Sequence, residues 1–117
     1  MQEVLREFAE IEGFKGAAVF GSDGLIIEQN WADFAELDFL AALLADLVTL
    51  VNQILHEKLG EEEFDIMTLE MKKTRFFIKK IDAFTFLAVF TDNKPKLGMT
   101  LVELKNKFKK LLVAVGL

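Results

Sequence analysis

Residue types that could do chemistry are scarce in this chain. Ser22 is the only serine and His56 the only histidine, so a serine–histidine–acid triad would have to bring these two side chains together. Ser22 opens a Ser-Asp-Gly sequence, which is typical of a tight hairpin turn, and His56 lies near the exposed end of a predicted helix. We therefore expect no catalytic residues and no enzymatic activity.

Metal and cofactor sites are also not expected. One histidine and no cysteine leave too few ligands for a zinc site. The consecutive carboxylates Glu61, Glu62 and Glu63 lack the alternating ligand spacing of a calcium-binding loop. The sequence contains no Gly-x-x-x-x-Gly-Lys-Ser/Thr loop, so it should not bind a nucleotide as P-loop proteins do.

Length and charge limit the class of protein further. A chain of 117 residues is long enough for one hydrophobic core and too short for two. A net charge of −5 argues against nucleic-acid binding, which needs a strongly basic surface. The N-terminal residues carry acidic side chains throughout and lack the apolar core of a signal peptide. Together with the absence of cysteine, this predicts a cytoplasmic protein.

The hydrophobic periodicity predicts the order α-β-β-α-β-β-β-α. A short first helix ends near Gly13, and a last helix begins at Thr100, where Thr100 and Glu103 form a capping-box pattern. The predicted strands are Gly16–Ser22, Leu25–Asn30, Phe64–Lys72, Arg75–Ile81 and Ala83–Thr91. The last of these is apolar on both alternations, which favours a central position in a sheet with helices on both faces.

The long helix predicted from Asp33 to Leu59 is the dominant element. Asp33 and Glu36 form a capping-box pattern at its start. Its apolar residues span about half of the circumference, whereas a surface helix usually needs a stripe about 100° wide. Charges already present in its first turn argue against a membrane span and against direct membrane insertion. The excess of apolar surface predicts that a partner subunit covers one flank of the helix.

This element order, with GFKGAAVFGSDGLII near the start and PKLGMTLVELKNKFKKL near the end, resembles the roadblock/dynein light chain family. The resemblance covers nearly the whole chain and implies a single roadblock-like domain over residues 1–117. It implies a profilin-like α+β fold, in which a five-stranded antiparallel sheet of order 2-1-5-4-3 carries the long helix on one face and the terminal helices on the other. It also implies homodimers, or heterodimers with a paralogue, and partnership with Ras-like small GTPases. Thr100 stands near a position where many relatives carry an arginine, so no role of that arginine is carried over.

In this strand order the segment Phe64–Met71 forms an edge of the sheet. It carries few charges and no proline, so it lacks the usual protection against pairing with another chain. We expect it to pair with its copy in a second chain, giving a ten-stranded sheet. The predicted strand contacts are Phe64, Asp65, Ile66, Met67, Thr68, Leu69, Glu70 and Met71. A right-handed crossover should turn Ala41, Ala45, Val48 and Asn52 of the long helix toward this edge and the second chain.

The remaining outward face of the long helix is the predicted docking surface for a small GTPase. Its residues are Asp38, Ala42, Asp46, Thr49 and Gln53. The leading functional hypothesis is a non-enzymatic dimeric regulator or scaffold that modulates the nucleotide cycle or the localisation of a Ras-like GTPase. Two alternatives stay open, namely a small-molecule sensor with a phenylalanine-lined cavity and a purely architectural dimerisation domain.

Overall fold

The computed structural model of this chain describes residues 1–31 and 36–117. Its helices are α1 (Gln2–Glu7), α2 (Leu37–Ile54) and α3 (Leu97–Ala114), with a 3-10 turn (Phe8–Glu10) after α1 and a π-helical turn (Leu55–Leu59) after α2. Its strands are β1 (Phe14–Gly21), β2 (Ile26–Trp31), β3 (Ile66–Glu70), β4 (Thr74–Asp82) and β5 (Thr85–Asp92). The order of helices and strands is the predicted one. The predicted helix start at Asp33 and its capping box lie outside the described residues.

The five strands form one antiparallel sheet in the order β2-β1-β5-β4-β3, which confirms the predicted topology. Strands β2 and β3 are its edges, and β5 lies at the centre. Along β5, Leu87 and Val89 belong to the core on one face of the sheet, whereas Phe86 and Ala88 belong to the core on the other. The central strand is therefore buried on both faces, as its continuous apolar sequence predicts.

One face of the sheet is covered by α1, the 3-10 turn and α3. The buried residues that these elements contribute are Leu5, Phe8, Leu104, Phe108 and Leu111. Polar contacts tie them together, because Lys107 pairs with Glu10 and the Glu12 amide donates to Glu103 Oε2 at 3.2 Å. This face is thus closed by several elements that hold one another.

The other face is covered by α2. Its most buried side chains are small, since Ala41, Ala45 and Val48 are 2%, 4% and 2% exposed, and Leu44 is buried beside them at 8%. They pack in one cluster with the aromatic residues Phe20 and Phe76 of the sheet. Small residues on the helix and large rings on the sheet are complementary, because a layer built of large side chains on both sides would hold the helix too far away for close packing.

This arrangement corrects the predicted rotation of the long helix. Ala41, Ala45 and Val48 were predicted to face a second chain, yet all three lie in the core of this copy. Asn52, the fourth residue of that set, is half-buried. The physical reason is that the apolar surface of α2 is so wide that periodicity alone leaves its rotation open, and the bulky residues of the sheet select the small ones as neighbours.

Two boundaries also differ from the predictions. Strand β3 covers only Ile66–Glu70, so the ends of the predicted segment lie outside the ladder. Helix α3 starts at Leu97, directly after the Pro95-Lys96 sequence, and the capping box predicted at Thr100 is wrong. Thr100 is instead buried within the first turns, where its hydroxyl lies 3.4 Å from the Lys96 carbonyl oxygen. Lys96 is the N-cap and is still extended, with φ −64° and ψ 138°, so the helix begins at the next residue.

Candidate protein-interaction surfaces

The edge strand β3 is the first candidate surface. It pairs with β4 on one side only, in a register that places Thr68 opposite Phe77. Leu69 is 44% exposed and Met71, directly after the strand, is 43% exposed. An edge that carries exposed apolar side chains and contains no proline is open to pairing with another strand.

The two charges of the predicted interface segment are neutralised within this copy. The carboxylate of Asp65 accepts a hydrogen bond from Lys79 Nζ at 2.8 Å, and Glu70 Oε1 accepts one from Arg75 Nε at 3.0 Å. The hydrogen bond from Lys79, followed by its positive charge, holds the pKa of Asp65 below its usual range. Because both carboxylates already have cationic partners, they repel the same strand of a second chain less than unpaired carboxylates would.

The outward face of α2 is the second candidate surface. The five predicted docking residues are all exposed on this helix, namely Asp38, Ala42, Asp46, Thr49 and Gln53. Beside them lies an exposed apolar stripe, whose members Phe39, Leu43 and Leu50 are 64%, 50% and 54% exposed. The structure therefore joins the predicted polar residues to a larger apolar surface. The small size of Ala41 and Ala45 was the signal in the sequence that could have placed this stripe outward.

The hairpin between β1 and β2 supports the N-terminal half of α2. Gly24 in this turn has φ +86°, and a Cβ atom added to it would lie 3.0 Å from the Cα atom of Ala42. A larger residue would be strained by the positive φ and would also press on the helix. The Ser-Asp-Gly sequence thus serves the contact between turn and helix, and Ser22 itself donates its backbone N–H to the Phe84 carbonyl.

Arg75 is a structural residue that sequence reasoning did not single out. It is 6% exposed, and besides its bond to Glu70 it donates from Nη1 to the Pro95 carbonyl at 2.6 Å. It therefore connects the edge strand to the segment that precedes α3. A buried arginine needs such partners, because an unpaired guanidinium away from water is costly.

Two open depressions lie on the surface of the described residues. One of about 530 Å³ lies between α1 and α3, and one of about 560 Å³ lies at the strand ends beside Leu25, Ile27 and Phe84. The core aromatic rings of the α2 face pack against each other and against the helix, with Phe20 and Phe86 centroids 5.8 Å apart. A phenylalanine-lined internal cavity, which the sensor alternative needs, is not found among these surface depressions.

Within residues 1–31 and 36–117, no three acidic, histidine or cysteine side chains form a group that could hold a metal ion.

The segment Leu37–Leu59 is long and apolar enough, by length and composition only, to cross a membrane. In this fold 22% of its apolar stretch is buried, and the buried residues include Ala41, Leu44, Ala45 and Val48.

Solved structures of other proteins share this fold. Myxococcus xanthus MglB superposes with a TM-score of 0.88 at 21% identity, covering 97% of this chain and 93% of that one. A Roadblock/LC7 domain from Streptomyces avermitilis gives 0.85 at 17% identity, with 98% and 97% covered. Acanthamoeba castellanii profilin IA gives 0.64 at 15% identity, with 97% of each chain covered. These similarities establish the fold and its profilin-like architecture.

Family comparison adds information from the sequence itself. The search of curated proteins gives no significant match. Residues 1–91 match the Roadblock/LC7 domain family, which covers α1 to nearly the end of β5 and so includes both candidate surfaces. This chain therefore belongs to the Roadblock/LC7 domain family.

Proposed function

We propose that the protein is a non-enzymatic dimeric scaffold or regulator that binds a Ras-like small GTPase through the outward face of α2. The observation that carries this proposal is the exposed apolar stripe of Phe39, Leu43 and Leu50 beside Asp38 and Asp46. Exposed apolar side chains with a polar rim are typical of protein–protein interfaces. Family membership supplies the class of partner, because the roadblock family is associated with small GTPases.

Dimerisation through β3 is the second part of the proposal. In an antiparallel pair centred on Thr68, Ile66 would face Glu70 of the second chain and Asp65 would face Met71, so no carboxylate would directly oppose another. Such pairing would satisfy the free backbone groups of the edge and cover Leu69. Asn52 also favours a partner nearby, since its Oδ1 atom is buried without a hydrogen-bond donor among the described residues, and such an atom usually finds one.

The mechanism follows from what the α2 face can offer. It carries carboxylates, amides and apolar side chains but no arginine, because Arg6 belongs to α1 and Arg75 is buried on the opposite face. The chain therefore would not insert an arginine finger into the GTPase site. An effect on the nucleotide cycle would come from preferential binding to one conformation of the switch regions, which shifts the population toward that conformation.

The test measures binding of purified Ras-like GTPases from the same genome, loaded with GDP or with a non-hydrolysable GTP analogue, by surface plasmon resonance. We expect at least one GTPase to bind in a nucleotide-dependent way. The double variant L43D/L50D should abolish this binding, whereas V102D on the exposed side of α3 serves as the matched control and should retain it. If no GTPase binds in either nucleotide state, or if L43D/L50D binds like the unmodified protein, the proposal is wrong.

Dimerisation is tested separately by sedimentation equilibrium. Leu69→Glu places a carboxylate on the exposed edge, and in the proposed pair it would be buried beside the second strand, where an unpaired charge is unfavourable. We expect this variant to remain folded and to become monomeric. An unchanged mass would show that β3 is not the dimer contact.

A further inference from the structure

The two long helices carry opposite charge. Helix α2 has two carboxylates, Asp38 and Asp46, and no lysine or arginine, whereas α3 has four lysines and one carboxylate. The two helices lie on opposite faces of the sheet. The molecule therefore has one acidic helical face and one basic helical face, although its net charge is only −5.

Each helix also exposes apolar side chains on the side that points away from the sheet. At 100° per residue the outward arc of α3 contains Val102, Lys109 and Val113, opposite to the buried Leu104 and Leu111. Val102 and Val113 are 60% and 76% exposed. Valine side chains with so much exposed surface gain free energy when they are covered.

Two of the four lysines of α3 form ion pairs inside the molecule, because Lys107 and Lys110 pair with Glu10 and Glu7. Lys105 and Lys109 have no ion pair within residues 1–31 and 36–117. After the hydrogen bond and the charge of Lys79, the charge of Lys105 also contributes to the lowered pKa of Asp65. The ammonium groups of Lys105 and Lys109 are thus available to pair with a negative surface.

The outward arc of α2 has the complementary pattern. Leu43 and Leu50 stand on either side of Asp46, as Val102 and Val113 stand on either side of the two free lysines. Asp46 also lacks an ion pair in the described part of the chain. Suppose that α2 of one copy and α3 of another lie side by side and parallel, with Lys105 at the same height along the helix axis as Asp46. Val102 is then at the height of Leu43. The antiparallel arrangement, with Lys109 level with Asp46, puts Val113 level with Ala42, next to Leu43.

We infer that the outward face of α3 is a docking surface for the outward face of α2 of a second copy of this chain. The two faces lie on opposite sides of one sheet and cannot meet within a single copy, so a second copy is needed to bring them together. The contact would be heterologous, because it joins different surfaces, and it can repeat along a row of copies or close into a ring. It is separate from the proposed β3 dimer, which uses the edge of the sheet.

This contact has a regulatory consequence, which rests on the proposed function. The α2 face is also the proposed docking surface for a GTPase, so a copy seated there would block it. Self-association and GTPase binding would then exclude each other. The experiments that test self-association contain no GTPase, so their outcome is independent of the outcome of the GTPase-binding experiment.

The experiment is a charge swap followed by sedimentation velocity. One variant reverses the α3 face (K105E/K109E). The other reverses the charges of Asp46 on α2 and of Glu57, which is exposed in the π-helical turn after α2 (D46K/E57K). The unmodified protein should show faster-sedimenting species as its concentration rises by about a hundredfold. These species should decrease when sodium chloride is raised from about 50 mM to about 500 mM, because salt screens exposed charges. Each variant alone should associate at least about tenfold more weakly than the unmodified protein, since like charges then meet.

A mixture of the two variants is the decisive sample. The reversed α3 face of one variant is complementary to the reversed α2 face of the other, so the mixture should regain a complex that neither variant forms alone. K72E/K73E serves as the matched control, because it changes the net charge as much as K105E/K109E does but at the exposed turn between β3 and β4. This control should associate like the unmodified protein, and circular dichroism should show that all variants are folded.

Three results would overturn the inference. The unmodified protein could sediment identically at all concentrations and salt levels, or the mixture could fail to regain a complex. The third result is that K105E/K109E leaves self-association unchanged but abolishes binding to phosphatidylglycerol vesicles in a flotation assay. That result would assign the basic face of α3 to an anionic membrane surface instead.

Discussion

Helix α2 and helix α3 have the same length of 18 residues and cover opposite faces of one sheet, but they are held in different ways. Helix α3 shares its face with α1 and the 3-10 turn, and ion pairs such as Lys107 with Glu10 connect them. Helix α2 has no ion pair to another element in the described part of the chain and is held by apolar packing. Its charged side chains therefore remain available, together with exposed apolar ones, for contact with other molecules.

The difference suggests a division of roles between the two faces. On the α3 side, polar side chains are used to fix neighbouring elements, which favours a rigid support. On the α2 side, the small residues Ala41 and Ala45 face the sheet and the large residues Phe39 and Leu43 face outward. Leu44 is buried beside the two alanines, so α2 has large apolar residues on its outward face as well as on its inward face. An amphipathic surface helix usually has them only toward the core, and exposed ones are expected where the outward face has a binding role.

The largest effect is expected for Ala45→Asp. Ala45 is 4% exposed among the aromatic residues of the sheet, so the new carboxylate would be buried without a partner. We expect the free energy of unfolding to fall by about 3 kcal/mol or more. Urea denaturation followed by circular dichroism measures this change.

Leu43→Asp is the matched control on the same helix. Leu43 is 50% exposed, so its aspartate would stay in water, and only the lower helix propensity should cost about 0.5 kcal/mol. Equal destabilisation by the two substitutions would contradict the inward and outward faces assigned to α2. A stable Ala45→Asp protein that has lost only its dimer would favour the original interface prediction.

Arg75→Met tests the polar connections on the α3 side. The methionine keeps much of the apolar stem but removes the hydrogen bonds to Glu70 Oε1 and to the Pro95 carbonyl. We expect a loss of about 1–2 kcal/mol in the free energy of unfolding, because Glu70 is half-exposed and can be hydrated again, while the carbonyl loses a charged donor. The loss should be smaller for Glu70→Gln, which leaves the arginine bonded to the carbonyl. Unchanged stability of Arg75→Met would mean that packing, not polar contact, holds this region.

The strand order was predicted from the family resemblance, and the apolar sequence of β5 on both alternations agrees with its central position. It also identified the polar residues of the α2 face, since Asp46 and Gln53 interrupt the apolar pattern. It could not determine the rotation of α2, because that rotation depends on which side chains of a distant strand lie beneath the helix. Residues such as Phe20 and Phe76 are far from Ala45 in the sequence, so no local pattern records their contact. Arg75 was missed for the same reason, since its partner carbonyl lies 20 residues away.

The helix ends provide a smaller test. Gly60 ends the helical segment of α2 with φ +69°, whereas Gly98 lies in the first turn of α3, and a Cβ atom at either position would meet nothing within 4 Å. The two glycines therefore have equal space for a side chain and differ only in backbone conformation. Gly60→Ala should cost about 1 kcal/mol because alanine is disfavoured at positive φ. Gly98→Ala should raise stability by up to about 1 kcal/mol, since alanine favours the helix. Shifts of the same sign in thermal unfolding would contradict this assignment of the two helix ends.

The smallest effect concerns acid stability at the start of the edge strand. Asp65 bonds Lys79, whose ammonium group also lies 4.9 Å from the centroid of the Phe108 ring of α3. The hydrogen bond and then the charge of Lys79 lower the pKa of Asp65 in the folded protein. A lowered folded pKa means that the ionised carboxylate adds stability above its unfolded value of about 3.9, and that this contribution is lost as the pH falls through the folded pKa. Asp65→Asn should therefore reduce stability near neutral pH by less than about 1 kcal/mol, because the side chain is exposed. The difference in the free energy of unfolding between the variant and the unmodified protein should disappear in acid. Urea titrations across this pH range measure it, and a constant difference would contradict the expectation.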